Sequence, residues 1–271
     1  MNGRLVVCPT PIGNLEDVTL RVLSALREAD VVACEDTRRT RILLNRYGVK
    51  ARLVSYHEHN EQARSAELVE RMRGGAVVAL VSDAGMPLVS DPGYVLVRAC
   101  VGAGLPVEVL PGPSAAITAL VASGLPADEW VFHGFLPRKK GELGRLLESV
   151  RGTLVAFESP RRVPRTLALL ASLDPSRELA VCRELTKAHE EIVRGNAAEL
   201  AARYADAPPR GEVVLVLGPQ SVSADEGEPA GLDALRRLVD AGAHPRKAAG
   251  VVAELTDARA NDLYRALTAD S

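Results

Sequence analysis

The sequence is poor in cysteine, nearly neutral and without a long apolar run, and each of these features excludes a class of protein. Its four cysteines, Cys8, Cys34, Cys100 and Cys182, form no CxxC pair, so neither a disulfide framework nor a zinc finger is expected. The 33 Lys and Arg against 35 Asp and Glu leave a net charge of -2, too small to hold nucleic acid through the overall field. No apolar run approaches the roughly 20 residues of a membrane-spanning helix. We therefore expect a cytoplasmic protein in which any contact with nucleic acid uses a local basic patch.

Several standard catalytic motifs are also missing. No GxGxxG motif follows the first predicted strand and no GxxxxGK[ST] motif occurs, which argues against a dinucleotide site and excludes a P-loop. The GPS tripeptide at 112–114 is not the GxSxG elbow of a hydrolase. His57-Glu58-His59 supplies at most two ligands from one strand end. We therefore expect no metal.

The alternation of β-branched runs with amphipathic helical stretches predicts an α/β fold. The first half has the pattern of a largely parallel sheet covered by helices. In the second half several connections are too short for a crossover helix, so the second sheet is predicted to be mixed. The predicted strands are Leu5–Cys8, Val31–Cys34, Arg52–Tyr56, Val77–Val81 and Val107–Leu110 in the first sheet, and Trp130–Phe135, Leu154–Phe157, Leu179–Cys182, Glu190–Val193 and Val213–Leu217 in the second.

These patterns divide the chain into two α/β domains, 1–112 and 113–219. Residues 220–231 are polar, acidic and poor in large apolar side chains, a composition typical of a linker. Helical patterns follow at 232–239, 246–255 and 257–267, so residues 232–271 are predicted to form a small helical tail.

Acids, imidazoles, glycines and prolines recur directly after the predicted strands. In α/β sheets ligands bind beyond the carboxyl ends of the strands, so this edge is the predicted ligand site, formed largely by backbone groups of proline-stiffened loops. Asp83 could accept hydrogen bonds from a sugar hydroxyl or an amino group, although turn capping explains Asp83 or Asp91 equally well. The segments concerned are 9–15, 35–38, 57–61, 82–93, 111–115 and 158–162.

Six motifs in these loops resemble a known enzyme family, the small-subunit ribosomal RNA methyltransferases of the tetrapyrrole-methylase class, which use S-adenosylmethionine. The resemblance runs from residue 5 to about residue 217. At Arg161 the sequence departs from the family motif, where His is expected, so Arg161 is predicted to contact phosphate rather than to act as a specific catalytic group. The motifs are TPIGNLED (10–17), ACEDTRRT (33–40), SYHEHNE (55–61), SDAGMPLVSDPG (82–93), LPGPSA (110–115) and FESPRR (157–162).

The resemblance implies two α/β domains with S-adenosylmethionine in the cleft between them. It also implies a homodimer and 2'-O-methylation of a cytidine ribose in the decoding region of 16S rRNA, on the free RNA or the small subunit. The cofactor-binding residues carried over from the family are Pro11, Ile12, Gly13, Asp83, Met86, Ser114, Ala115, Phe157 and Val214.

A ribose hydroxyl is a weak acid, so a positioned base would assist methyl transfer by accepting its proton. The sequence offers five candidates for this catalytic role and does not rank them. They are Glu35, Asp36, His57, Glu58 and Lys187.

Basic residues near the predicted ligand edge supply the local positive charge that RNA binding requires. This charge favours RNA over a rival reading, a small-molecule tetrapyrrole methyltransferase. A second rival, a non-catalytic RNA-binding assembly factor, is disfavoured because the stiff cofactor loops are intact. The helical tail is either an RNA-binding module or a packing or dimer element. The predicted RNA-binding residues are Arg38, Arg138, Lys139, Lys140, Arg161 and Arg162.

Overall fold

The computed structural model describes residues 3–220, 231–256 and 258–269. The chain divides into two compact units, Met1–Gln220 and Ser221–Ser271. The first unit contains both predicted sheets. Of the predicted linker, residues 221–230 lie outside the described residues.

The first sheet is entirely parallel, as the sequence predicted. Its strand order is β3-β2-β4-β1-β5. Helices cover both faces, so strands such as Val31–Cys34 are apolar on both sides and fully buried. The strands are β1 Arg4–Val7, β2 Val31–Cys34, β3 Leu53–Ser55, β4 Val77–Val81 and β5 Val107–Val109; the helices are α1 Leu20–Glu28, α2 Thr37–Arg46, α3 Glu61–Arg73 and α4 Tyr94–Gly102, with a short 3-10 turn at Leu15–Asp17.

The alternation of side chains along these strands creates two cores. Val6, Val32 and Ala79 face the core formed with α1 and α2. Leu5 and Val78, next to them in sequence, face the opposite core with α3 and α4. Both faces of the sheet are therefore occupied by packing, and the loops at the strand ends are left for ligand binding.

The second sheet is mixed, which confirms that prediction. Its order is β6-β7-β10-β8-β9, with β6 parallel to β7 and every other pair antiparallel. The observed β9 begins one residue later than predicted and continues to Asn196. The strands are β6 Trp130–Phe135, β7 Thr153–Glu158, β8 Glu178–Arg183, β9 Glu191–Asn196 and β10 Val213–Leu217; the helices are α5 Ala115–Ser123, α6 Lys140–Ser149, α7 Val163–Leu173 and α8 Ala197–Tyr204.

The passage from one sheet to the other falls between β5, which ends at Val109, and α5, which begins at Ala115. Ala119 and Leu120 of α5 pack with Val155 of the second sheet, and Ile12 from the first-sheet loop joins the same core. A domain division near residue 112 remains our proposal, and the shared core holds the two sheets together within one unit.

Arg177 lies fully buried between β10 and the end of α6. It is 1% exposed, and its guanidinium donates to the carbonyl oxygens of Gly218 at 2.8 Å and Leu147 at 2.9 Å. Burial lowers its pKa. Because these carbonyls end a strand and a helix, Arg177 supplies partners that the backbone there lacks.

The C-terminal unit is a small helical core, and its three helices match the predicted patterns. They are α9 Leu232–Asp240, α10 Pro245–Leu255 and α11 Ala260–Ala269. Leu235, Ala249 and Leu263 form its buried centre. Asp257, where the third predicted pattern starts, lies outside the described residues. Among the helices described, none is long and apolar enough to cross a membrane.

Candidate active site

A cavity of about 380 Å³ opens where the strand ends of the two sheets meet. This volume falls in the range of small-molecule sites. The first sheet contributes loops that follow β1, β4 and β5, and the second contributes the adjoining ends of β6, β7, β8 and β10. The lining residues include Ile12, Ala84, Gly85, Met86, Val89, Ser90, Asp91, Ser114, Ala115, Phe135, Phe157, Glu158, Leu185, Glu212 and Val214.

The loop after β4 is held in an unusual backbone conformation. Leu88 and Ser90 have φ of 72° and 65°, values that non-glycine residues adopt only when the surroundings enforce them. Gly85 is tied to Thr10 by a pair of backbone hydrogen bonds, each 2.9 Å long. A Cβ on Gly85 would touch the Ile12 Cγ2 at 3.4 Å. The β4 loop is therefore held against the β1 loop by backbone hydrogen bonds.

Six of the nine predicted cofactor-binding residues line this cavity. Pro11, Gly13 and Asp83 lie outside the lining. Asp83 accepts a hydrogen bond from the backbone N–H of Asp36 at 2.9 Å and lies 3.7 Å from Arg39 Nε. It therefore ties the β4 loop to the β2 loop. The six that line the cavity are Ile12, Met86, Ser114, Ala115, Phe157 and Val214.

Gly13 lies where the loop after β1 closely approaches the segment after β8. An added Cβ would lie 2.5 Å from Lys187 Cγ and 2.6 Å from Thr186 Oγ1. The next residue, Asn14, donates its backbone N–H to Thr186 Oγ1 at 3.0 Å. Only a glycine fits this approach, so Gly13 contributes to the site by joining its two halves.

Two of the five predicted proton acceptors are occupied by ion pairs. Asp36 caps α2 and binds Arg38 through both carboxylate oxygens, and these hydrogen bonds lower its pKa to about 2. Lys187 Nζ contacts Glu184 at 2.8 Å and Glu212 at 2.9 Å. Burial opposes the effect, but the two carboxylates raise the pKa of Lys187. Neither group is placed to accept a proton at neutral pH.

The other three candidates occupy the loops after β2 and β3. The Glu58 side chain is 78% exposed and lies 3.5 Å from His59. His57 Nε2 lies 3.3 Å from the Asn60 amide nitrogen, and its Nδ1 is buried without a hydrogen-bond partner. Burial and then the charge of Asp83 raise the pKa of Glu35.

Asp91 is an aspartate for which the sequence alone is equally consistent with a turn-capping role. The structure places it in the cavity lining. Burial first, then the negative charges of Glu35 and Asp83, raise its pKa to about 6, while the Ser82 hydroxyl partly offsets the rise. The SDPG motif gave no signal for this role, because the shift depends on burial and on the charge of Glu35, which is distant in sequence.

The sequence of this chain is clearly similar to those of known proteins. A sequence model of the family described as Tetrapyrrole (Corrin/Porphyrin) Methylases matches residues 4–201. The protein named ribosomal RNA small subunit methyltransferase I from Mesorhizobium japonicum is 48% identical over 268 residues, covering 97% of this chain and 90% of that protein. Its namesake from Escherichia coli O157:H7 is 44% identical over 271 residues, covering 97% and 94%.

The chain belongs to the ribosomal RNA small subunit methyltransferase I family of tetrapyrrole methylases. Solved structures agree with the fold. The uroporphyrin-III C-methyltransferase of Thermus thermophilus, complexed with S-adenyl homocysteine, has a TM-score of 0.56 at 23% identity and covers 80% of this chain and 97% of its own. The methyltransferase CobJ has a TM-score of 0.60 at 21% identity, with 80% and 94% covered. The expected α/β class, family and S-adenosylmethionine cofactor are confirmed.

The cavity of this family member suits that cofactor. Ile12, Met86 and Val214 provide apolar surface for a flat aromatic group. Asp91 adds a partly buried carboxylate to the wall, and Gly85, whose φ is 83°, places no side chain there. These residues fit a ligand that carries an apolar ring, a ribose and a cationic centre.

The basic residues assigned to RNA fall into two sets. Arg38 and Lys139 form ion pairs with Asp36 and Glu142. Arg162 contacts the buried Glu158 at 3.3 Å and donates to two backbone carbonyls. The second set, exposed and forming no ion pair within the described part of the chain, comprises Arg138, Lys140 and Arg161.

Proposed function

We propose that the chain transfers the methyl group of S-adenosylmethionine to the 2'-hydroxyl of a cytidine in the decoding region of 16S rRNA. The observation that carries the proposal is the cavity between the two sheets, which combines apolar walls, one partly buried carboxylate and exposed basic residues nearby, in a chain of this family. The acceptor is 16S rRNA, free or within the small subunit.

S-adenosylmethionine, when bound, supplies an electrophilic methyl group on a sulfonium. Ile12, Met86, Ser114, Ala115, Phe157 and Val214 are proposed to hold it, because they line the cavity. The protein then has to align donor and acceptor and exclude water. The β4 loop supports this role, since two backbone hydrogen bonds between Gly85 and Thr10 hold it against the β1 loop.

The proton of the ribose hydroxyl is proposed to pass to Asp91. A pKa of about 6 leaves this carboxylate ionised at neutral pH while making it a stronger base than an ordinary aspartate. Glu35 and Asp83 are the acids that face it, and both carry negative charge that favours proton uptake. Glu35 and His57, in the loops after β2 and β3, are the next candidates for the proton acceptor.

RNA is proposed to bind beside the cavity through Arg138, Lys140 and Arg161. Their exposure leaves the cations available to phosphates, whereas Arg162 is engaged by Glu158 and by backbone carbonyls. Arg38 and Lys139 are included as weaker contacts, since an exposed ion pair holds its partners by about 0–1 kcal/mol and can be exchanged for phosphate.

The chain is further proposed to act as a homodimer in the cytoplasm, where ribosomal subunits are assembled. Ile117 and Val121 lie one turn apart on the outer face of α5, and their side chains are 46% and 76% exposed. An apolar helix face of this kind is typical of surfaces that pack against a partner.

Methyl transfer in vitro tests the proposal. Purified protein, tritiated S-adenosylmethionine and small ribosomal subunits that lack the modification should yield labelled 16S rRNA, and digestion should release 2'-O-methylcytidine. Free 16S rRNA in a parallel reaction identifies the form of the substrate. Label on a base of the RNA would contradict the proposed 2'-O position. Transfer to a tetrapyrrole, with no label on free 16S rRNA or on the small subunit, would contradict the proposal and support the small-molecule alternative. Binding of RNA without any transfer would support the assembly-factor alternative.

A further inference from the structure

Strand β6 contains an irregularity next to the cavity. Phe132 pairs with Val155 and Phe135 pairs with Phe157, so three steps along β6 match two steps along β7. One extra residue is therefore inserted, as in a β-bulge. Gly134 has a φ of 71°, and a Cβ on it would lie 3.2 Å from the Ser90 Oγ of the β4 loop. The bulge thus brings β6 against the wall of the cavity.

The bulge also changes the direction of the Phe135 side chain. In a regular strand, residues three apart face opposite sides. Here the rings of Phe132 and Phe135 both contact Phe157 edge-on, with centroids 5.1 Å and 5.5 Å away. Phe135 is nevertheless 63% exposed while lining the cavity. Ile12 and Val214, which line the same cavity, are only 8% and 5% exposed, so the much greater exposure of Phe135 places its ring at the opening.

The segment after Phe135 carries positive charge and is anchored. Arg162 donates to the carbonyl oxygens of Leu136 at 3.1 Å and Pro137 at 2.6 Å. Arg165 donates to the carbonyl of Arg138. These bonds fix the chain between the exposed ring and the cations that follow it. The arrangement is an aromatic surface beside phosphate-binding charge, at the opening of a cofactor cavity.

We propose that Phe135 is a stacking platform for an unstacked nucleobase of the RNA substrate. The inference rests on the proposed function and adds its nucleotide-binding surface. Unpaired bases of RNA are commonly held by stacking on aromatic side chains. Stacking accepts any base, so Phe135 positions the nucleotide while other contacts select cytidine.

The test is a series of substitutions at Phe135, assayed by the initial rate of methyl transfer to small subunits that lack the modification and are kept below saturation. Phe135→Ala should lower kcat/KM by about 5- to 150-fold, the range for loss of one base–aromatic stack. Phe135→Tyr should stay near wild type and Phe135→Leu should fall between. Affinity for S-adenosylhomocysteine by calorimetry should be unchanged. The salt dependence of RNA binding should also be unchanged, since no phosphate contact is lost.

Val131→Ala is the matched control, because Val131 is an apolar residue of the same strand, 47% exposed and outside the cavity lining. It should transfer methyl groups as wild type does. Three results would overturn the inference: a Phe135→Ala variant as active as wild type, a parallel loss of S-adenosylhomocysteine affinity, or a loss of self-association in light scattering. A loss of S-adenosylhomocysteine affinity would show that the ring binds the cofactor. A loss of self-association would show that it packs against a second copy of the protein.

The wild-type reaction separates this inference from the function on which it rests. If wild type modifies the RNA and Phe135→Leu is undiminished, stacking is wrong and the function stands. If the wild-type protein modifies no small-subunit RNA, the proposed function is wrong, and the stacking role that depends on it is wrong as well. If Phe135→Ala unfolds, Phe135→Tyr and Phe135→Leu still test the inference. Stacking predicts that the tyrosine variant is more active than the leucine variant, whereas a merely apolar contact predicts equal activity.

Discussion

Asp91→Asn should stabilise the protein at neutral pH while slowing its reaction. The folded structure raises the pKa of Asp91 from 3.8 to about 6. The fold therefore favours the protonated form. This contribution to stability is fully present below the unfolded pKa and is lost as pH rises through 6. At pH 7.5 the carboxylate is charged and opposes folding.

The size of the effect follows from the shift. A difference of about two pKa units corresponds to roughly 3 kcal/mol at about 1.4 kcal/mol per unit. Because Asp91 is only partly buried, solvent screening reduces this to about 1–2 kcal/mol. Asparagine carries no charge, so Asp91→Asn should recover this energy at pH 7.5. At pH 4.5 the carboxyl is mostly protonated in the folded state, and the gain should be smaller by about 1 kcal/mol.

Thermal unfolding at the two pH values measures the effect. A gain of this size raises Tm by about 2–8 °C in a unit of this length. Asp206→Asn, an exposed aspartate, gives the baseline for removing one negative charge. The reasoning is refuted if Asp91→Asn lowers Tm at pH 7.5, or if its gain is equal at both pH values.

The same substitution tests the chemical role of Asp91. Loss of a general base should slow single-turnover methyl transfer by about 10²- to 10⁴-fold with little change in RNA or cofactor affinity. In wild type the rate should rise with pH through about 6, as Asp91 ionises beside Glu35 and Asp83. A near wild-type rate would move the proton acceptor elsewhere, with Glu35→Gln and His57→Ala as the next variants.

Three further outcomes are expected from the contacts described. Gly13→Ala should lower Tm and weaken S-adenosylhomocysteine binding in calorimetry, because its Cβ would overlap the side chain of Lys187; wild-type values would show that the loops separate freely. Arg177→Met should lower the free energy of unfolding in urea by about 2–4 kcal/mol, since two buried carbonyls lose charged donors, and a loss below 1 kcal/mol would contradict that role. Replacing Arg138 and Lys140 by Ala should reduce the salt slope of RNA binding by about 2 with cofactor affinity intact; an unaltered slope would remove both from the RNA surface.

The sheets were predictable because their signals are local. Runs such as Val77–Val81 are continuous and apolar, and the short connection between β8 and β9 excluded a parallel crossover. A signal was also present for Asp36, since an aspartate directly before a helix is typical of an N-cap. Its pairing with Arg38 two residues later follows from that position.

The parts of the site that sequence reasoning missed depend on contacts distant in sequence. Asp91 lines the cavity, where burial and the charge of Glu35 raise its pKa, and nothing in the residue type indicates either effect. Phe135 is exposed because of the bulge at Gly134, whose position is set by pairing with β7. Arg162 was assigned to RNA from its charge, but it lies against Glu158, a residue buried in the second sheet. A single sequence does not show which distant residues come into contact in the fold.

The most direct test of the central proposal is a map of ribose methylation in 16S rRNA from cells with and without this protein. Ribose methylation blocks cleavage at the following phosphate, so protected positions can be read by alkaline or nuclease hydrolysis. We predict that one protected cytidine in the decoding region loses its protection when the protein is absent and regains it with wild-type protein but not with Asp91→Asn. An identical map in both cells would contradict the account.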